Sequence, residues 1–149
     1  MDSSLVLRSQ QLLKYAYGIT LTLIGFDKVL RTNVIANWEG YVSDFALSVL
    51  PVGATTIVLA LGIAEIVVGL LMITVATRLA AILAIATLAV IIVNLLSMGL
   101  YDIAARDALI ALGALVLIWL TDALPRSLEI RGRKFELQQL KPEPSGSET

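Results

Sequence analysis

Across residues 79–101 the chain carries no charged side chain. As a helix, at about 1.5 Å per residue, such a run spans the roughly 30 Å hydrocarbon core of a bilayer. Three further runs follow the same rule. Residues 12–30 form the first span. Residues 52–77 form the second and hold one charge, Glu65; residues 79–101 are the third, and residues 107–124 form the fourth, ending before Pro125. The first run is too long for the apolar core of a cleaved signal peptide, and no small-x-small site follows it, so it reads as a retained span. The chain is 58% hydrophobic and 15% charged, against about 45–50% and roughly 25% in soluble domains. That balance excludes a soluble globular domain, a disordered chain and a coiled coil. The expected fold is an all-α membrane protein: an antiparallel four-transmembrane-helix bundle with a short amphipathic helix in its outer loop.

Four crossings place both termini on one side. Arg8, Lys14, Arg78, Arg126, Arg131, Arg133, Lys134 and Lys141 lie on the side of the termini and of the turn after span two; Lys28, Arg31 and Arg106 lie opposite. The excess puts both termini in the cytoplasm of a plasma (inner) membrane, with part of it discounted because it sits in the tail. In the longest connection, 31–51, Val42, Phe45, Ala46, Val49 and Leu50 repeat at helical spacing. They predict a short helix at the outer interface, with Trp38 and Tyr41 in the aromatic belt. Spans two and three follow each other almost directly, as a tight hairpin, and residues 102–106 make a short third connection. The cytoplasmic tail, 125–149, reads as a solvated basic stretch or a small β-hairpin, and its last residues, 141–149, as disordered.

The chain contains neither cysteine nor histidine. Disulfides, Cys/His metal sites, iron–sulfur clusters, thiol nucleophiles and histidine bases are therefore excluded, and no metal site is expected. The net charge of −1 gives no reason to expect a nucleic-acid partner. The serines show no nucleophile-elbow pattern, so a hydrolase is disfavoured.

Glu65 stands near the middle of span two. A charged residue at mid-bilayer costs about 2.5–3.5 kcal/mol on insertion scales, so it must be paired, hydrated or protonated, and should face the helical interior. Gly62, Glu65, Gly69 and Met72 share one helical side, and the glycines admit a neighbouring backbone. Two readings stand: a structural acid tying helices together, or a functional group. Gly18, Gly25 and Lys28 share a sector of span one, where Lys28 can snorkel to the headgroups or reach inward to an acid. Arg106 and Asp107 open span four, and the helix dipole favours Asp107 there. Thr87, Asn94, Ser97 and Tyr101 form a polar stripe on span three, in which Asn94 reads more as interhelical glue than as a ligand-binding group. Taken together, Lys28, Glu65, Asn94, Arg106 and Asp107 predict an outward-opening polar pocket for ligand binding or proton relay, while Gly18, Gly25, Gly62 and Gly69 serve packing. Arg78, at the cytoplasmic hairpin, reads as an interfacial anchor.

The stretch ITLTLIGFDKVL, with Gly25 and Lys28, resembles the first-helix signature of the DoxX family of small four-helix membrane proteins. LGIAEIVVGLLMI, with Gly62, Glu65 and Gly69 and followed by Arg78, resembles its second-helix signature. The likeness covers about residues 8–120. The Gly-rich, Ser-Leu-Asp-like close that many members carry after helix four is replaced here by a charged tail. The resemblance implies a subunit associated with a membrane redox system, non-catalytic alone, with quinone as the candidate ligand and other membrane or redox subunits as partners beside the lipid bilayer. Lys28 and Asn94 would then donate to the quinone oxygens and Glu65 would relay protons. With no electron carrier of its own, the chain would need a partner or a bound cofactor for catalysis. The alternatives are a purely structural accessory subunit of a respiratory or photosynthetic complex, and a small proton or solute pathway, against which the absence of broken helices counts.

Overall fold

A computed structural model describes residues 3–74 and 76–124. The tail, 125–149, with its expected hairpin or basic stretch, lies outside the described residues, which are helical and contain no strand. The helices are α1 (Ser3–Leu30), α2 (Asp44–Val49), α3 (Ala54–Ile73), α4 (Thr77–Ser97) and α5 (Tyr101–Ala123), with a single 3-10 turn at Trp38–Tyr41. By length and composition α3, α4 and α5 can each cross a membrane. Helix α1 is longer, but Lys14, Asp27 and Lys28 dilute its apolar character, and it is not one of those three.

The distribution of side chains is that of a protein surrounded by lipid. On α3 the buried side holds Gly62, Glu65 and Gly69 beside Val58, Val68 and Met72, while Leu59, Ile63, Val67 and Leu70 face outward. Water would drive those leucine-type side chains inward; in hydrocarbon they lose nothing by being outside, and small residues gain by letting backbones approach. The interior is built the same way, with Ala80, Ala81 and Ala84 of α4 packed on Val68, Met72 and Leu117.

Helix α1 packs along α3, α4 along α5, and the α3–α4 and α1–α5 contacts close the arrangement. The α1–α3 seam is set by glycine. A Cβ on Gly25 would lie 2.6 Å from the Gly62 carbonyl oxygen, and one on Gly69 would lie 2.7 Å from that of Gly18. Because Gly18 meets Gly69 and Gly25 meets Gly62, these two helices run in opposite directions. On the α1–α5 seam the Tyr17 hydroxyl donates to the Ile110 carbonyl at 2.5 Å and lies where a Cβ on Gly113 would be.

Helix ends differ from the sequence expectation for local reasons. Helix α1 begins at Ser3 rather than at residue 12, and α3 is shorter than the span expected over 52–77. Helix α4 stops at Ser97, inside the run read as a span to residue 101, because Gly99 adopts a left-handed φ of 74°. The Gly99 amide bonds to the Leu96 carbonyl and the Leu100 amide to that of Leu95, each at 3.1 Å. This is the Schellman close, which favours a residue without Cβ at that position. Residues 102–106, expected as a connection, are the first turns of α5, where Asp102 complements the exposed amides. The real connection is residues 98–100. The short helix of the first long connection forms where the spacing places it, as α2, with the Ser43 hydroxyl capping the Ala46 amide at 3.0 Å.

Candidate functional site

Near the end of α1, Lys28 faces Glu65 of α3. Its Nζ lies 2.5 Å from Glu65 Oε1, and both side chains are only 6% exposed. The close approach at Gly25 and Gly62 makes this contact possible: the Lys28 Cβ itself would be 2.8 Å from a Cβ on Gly62. The ammonium also sits 4.5 Å from the centre of the Trp38 ring, an arrangement attractive through the ring quadrupole. Trp38 therefore covers the cation from the side of the 31–53 connection, where the sequence led to the expectation of an opening.

Asp27, the neighbour of Lys28, fixes that cover. The Trp38 Nε1–H donates to Asp27 Oδ2 at 2.6 Å, and the Ile35 amide donates to the same oxygen at 3.3 Å. The Val34 amide at 3.0 Å and the Thr32 hydroxyl donate to Oδ1. These bonds hold the chain as it leaves α1 through Arg31 and Asn33, both at positive φ. Non-glycine residues in that region cost roughly 1–2 kcal/mol each, and a carboxylate taking several donors is a strong compensation. A second tie comes from Glu39, whose Oε1 accepts from Arg31 at 2.9 Å and from the Thr55 hydroxyl at 3.0 Å. The role of Asp27 as loop organiser carries no periodic signal in the sequence; only an acid beside a tight turn hints at it.

Asn94 is brought to the loop rather than to Lys28. Its Oδ1 accepts from the Ser43 amide at 3.0 Å and the Ser43 hydroxyl at 2.8 Å, and its Nδ2 donates to the Tyr41 carbonyl at 2.6 Å. The expected glue is present, but it joins α4 to the start of α2, not one long helix to another. The Asn94 amide is turned to the loop through both its oxygen and its nitrogen. Asp107 is 7% exposed and lies near enough for its charge to act on Glu65, but it bonds to Arg106 and not to Lys28. Arg106 lies outside this group. Its side chain is 66% exposed and contributes through Nε to Asp107 Oδ1 at 3.1 Å. Arg78, expected as an anchor, pairs with Asp122 at 2.9 Å, joining the start of α4 to the end of α5.

The resulting site is an electrostatic clamp under a folded loop: Lys28 between Glu65 and Trp38, with Asp107 alongside and Arg106 neutralising it from the surface. One polar atom is left over. Glu65 Oε2 is buried with no hydrogen-bond partner among the described residues. The space beside Glu65 is a cavity of about 10 Å³, bounded by Leu21, Val68, Ala84, Thr87, Leu88 and Ile91. A volume near that figure admits one water and is far too small for a quinone ring. Among the described residues no group of His, Cys, Asp and Glu is arranged to hold a metal ion. Comparison with protein-family models, curated proteins and solved structures finds no match to this chain. The DoxX resemblance therefore rests on the quoted residues alone.

Proposed function

We propose that the chain is a non-catalytic, multi-pass membrane subunit that attaches to a quinone-linked redox complex, as the DoxX resemblance implies. In this reading α1 joins α3, α4 and α5 as a fourth, antiparallel span. Both termini are cytoplasmic in a plasma (inner) membrane, and Lys28 and Glu65 meet toward the outer leaflet. The observation that carries the non-catalytic part is the mutual commitment of the polar groups. Lys28 is held by Glu65 and Trp38, Asn94 by Tyr41 and Ser43, and Asp27 by four donors of the outer loop. Such a network stiffens a subunit, and it turns Lys28 and Asn94 to protein partners rather than to a quinone. Quinone accordingly belongs to the partner, or to the seam between partner and the apolar outer faces of α4 and α5, where Leu83, Val90, Leu109, Leu112 and Trp119 are exposed.

The experiment is purification of the tagged, full-length chain from native membranes in mild detergent, with identification of co-purifying subunits and extractable quinone. Stoichiometric recovery of redox subunits is expected, with wild-type redox flux retained in Glu65→Gln once assembly is normalised. Recovery of the chain alone or as a homo-oligomer would discard the accessory reading. A second reading, a proton pathway, is supported by the unpartnered Glu65 Oε2. Proteoliposome proton flux that is abolished by Glu65→Gln would favour it; flux indifferent to that change would remove it.

A further inference from the structure

We infer that a single ordered water is bound between Glu65 and Thr87 in the helical interior, as a built hydration site. The two oxygens of the Glu65 carboxylate have unequal surroundings. Oε1 takes the Lys28 ammonium at 2.5 Å, and Oε2 is buried with no partner among the described residues. A carboxylate oxygen in an apolar interior retains a strong demand for a donor. Glu65 lines the adjacent cavity, whose volume of about 10 Å³ corresponds to roughly one water.

A water held there needs two to four polar partners. Thr87 is the second polar residue on the wall; Leu21, Val68, Ala84, Leu88 and Ile91 complete it. Thr87 differs from three other helical threonines. The hydroxyls of Thr22, Thr74 and Thr121 each return to the carbonyl four residues earlier, Gly18, Leu70 and Leu117, at 2.7 Å. The half-buried Thr87 side chain, midway along α4, has no hydrogen-bond partner among the described residues. Its hydroxyl is therefore available to the cavity, as acceptor or donor. The water donates one proton to Glu65 Oε2 and exchanges its second bond with Thr87. Two otherwise unsatisfied groups, on α3 and α4, are thereby joined, so the clamp that Lys28 makes between α1 and α3 extends to a third helix. The site takes water and nothing larger, and it does so whether or not the chain serves a redox complex.

Infrared spectra of the full-length protein in lipid nanodiscs, recorded in ordinary and in heavy-oxygen water, test this. Wild type is expected to show a narrow water O–H stretch that shifts with heavy oxygen. Thr87→Ser, which keeps the hydroxyl, retains the band; the isosteric Thr87→Val loses it and melts at a lower temperature. No such band in wild type, an unchanged band in Thr87→Val, or an equal or higher melting temperature for Thr87→Val overturns the inference. Should Thr87→Val not fold, a high-resolution experimental structure of wild type decides. A density peak within hydrogen-bond reach of both Glu65 Oε2 and the Thr87 hydroxyl upholds the site, and its absence at a resolution that shows other ordered waters rejects it.

Discussion

Removing Lys28 is expected to harm this protein more than removing Glu65, and removing both is expected to harm it less than the sum. At the observed N–O separation of 2.5 Å and an effective dielectric constant of about 20, the Coulomb attraction is about 7 kcal/mol. Most of this offsets the desolvation of two ions, so breaking the pair by deleting one partner costs about 3–5 kcal/mol, chiefly the penalty of the charge left behind. The two deletions leave different charges. Lys28→Met strands Glu65 beside Asp107, two buried acids with no buried cation, and belongs at the upper end of that range. Glu65→Met leaves an ammonium that still faces the Trp38 ring at 4.5 Å and stands near a helix end, where its stem can reach outward. It belongs at the lower end. The double substitution leaves Asp107 with Arg106 and buries two thioethers in place of two ions, so a coupling of about 2–3 kcal/mol should appear between the sites. The assay is reversible unfolding in mixed detergent micelles, followed by circular dichroism for wild type, both single variants and the double variant. Additivity within about 0.5 kcal/mol, or a Lys28→Met variant no less stable than Glu65→Met, would refute the reasoning.

Gly25→Ala should destabilise the α1–α3 seam by about 1–3 kcal/mol, since its Cβ would meet the Gly62 carbonyl oxygen at 2.6 Å. Gly53→Ala, with nothing within 4 Å, should stay within about 0.5 kcal/mol in the same unfolding assay. Asn94→Leu strands the Ser43 amide and the Tyr41 carbonyl and should cost about 1–3 kcal/mol; hydrogen exchange should quicken at residues 42–47 and not at the centre of α3. Asp27→Ala should release the cover over Lys28, read as a red-shifted, more quenchable Trp38 emission in a Trp119→Phe background; an emission unchanged by the substitution would contradict the loop-organising role. Tyr17→Phe removes one bond to the Ile110 carbonyl and should cost about 0.5–1.5 kcal/mol by melting in detergent.

Much of this protein was decided before any tertiary contact. Uninterrupted apolar length makes α3, α4 and α5, since a backbone in hydrocarbon must satisfy its own polar groups. Glycines at 18, 25, 62 and 69 mark the seam, because only a residue without Cβ allows backbones so near. The periodicity of Val42 to Leu50 made α2 legible, and the price of a lone acid in lipid announced that Glu65 faces inward. The partners of these groups were not legible. Hydrophobic spacing reports which side of a helix is buried and is silent on which polar atom meets which. It put Lys28 and Asn94 in one pocket, whereas the path of the loop after α1 through Arg31 and Asn33 sends Trp38 over Lys28 and Ser43 to Asn94. Gly99 reads in sequence as one more apolar-span residue, and only its left-handed φ reveals the end of a helix. Distances between residues far apart in the chain are set by how whole helices dock, so the clamp, its cover and the leftover oxygen of Glu65 belong to the tertiary structure alone.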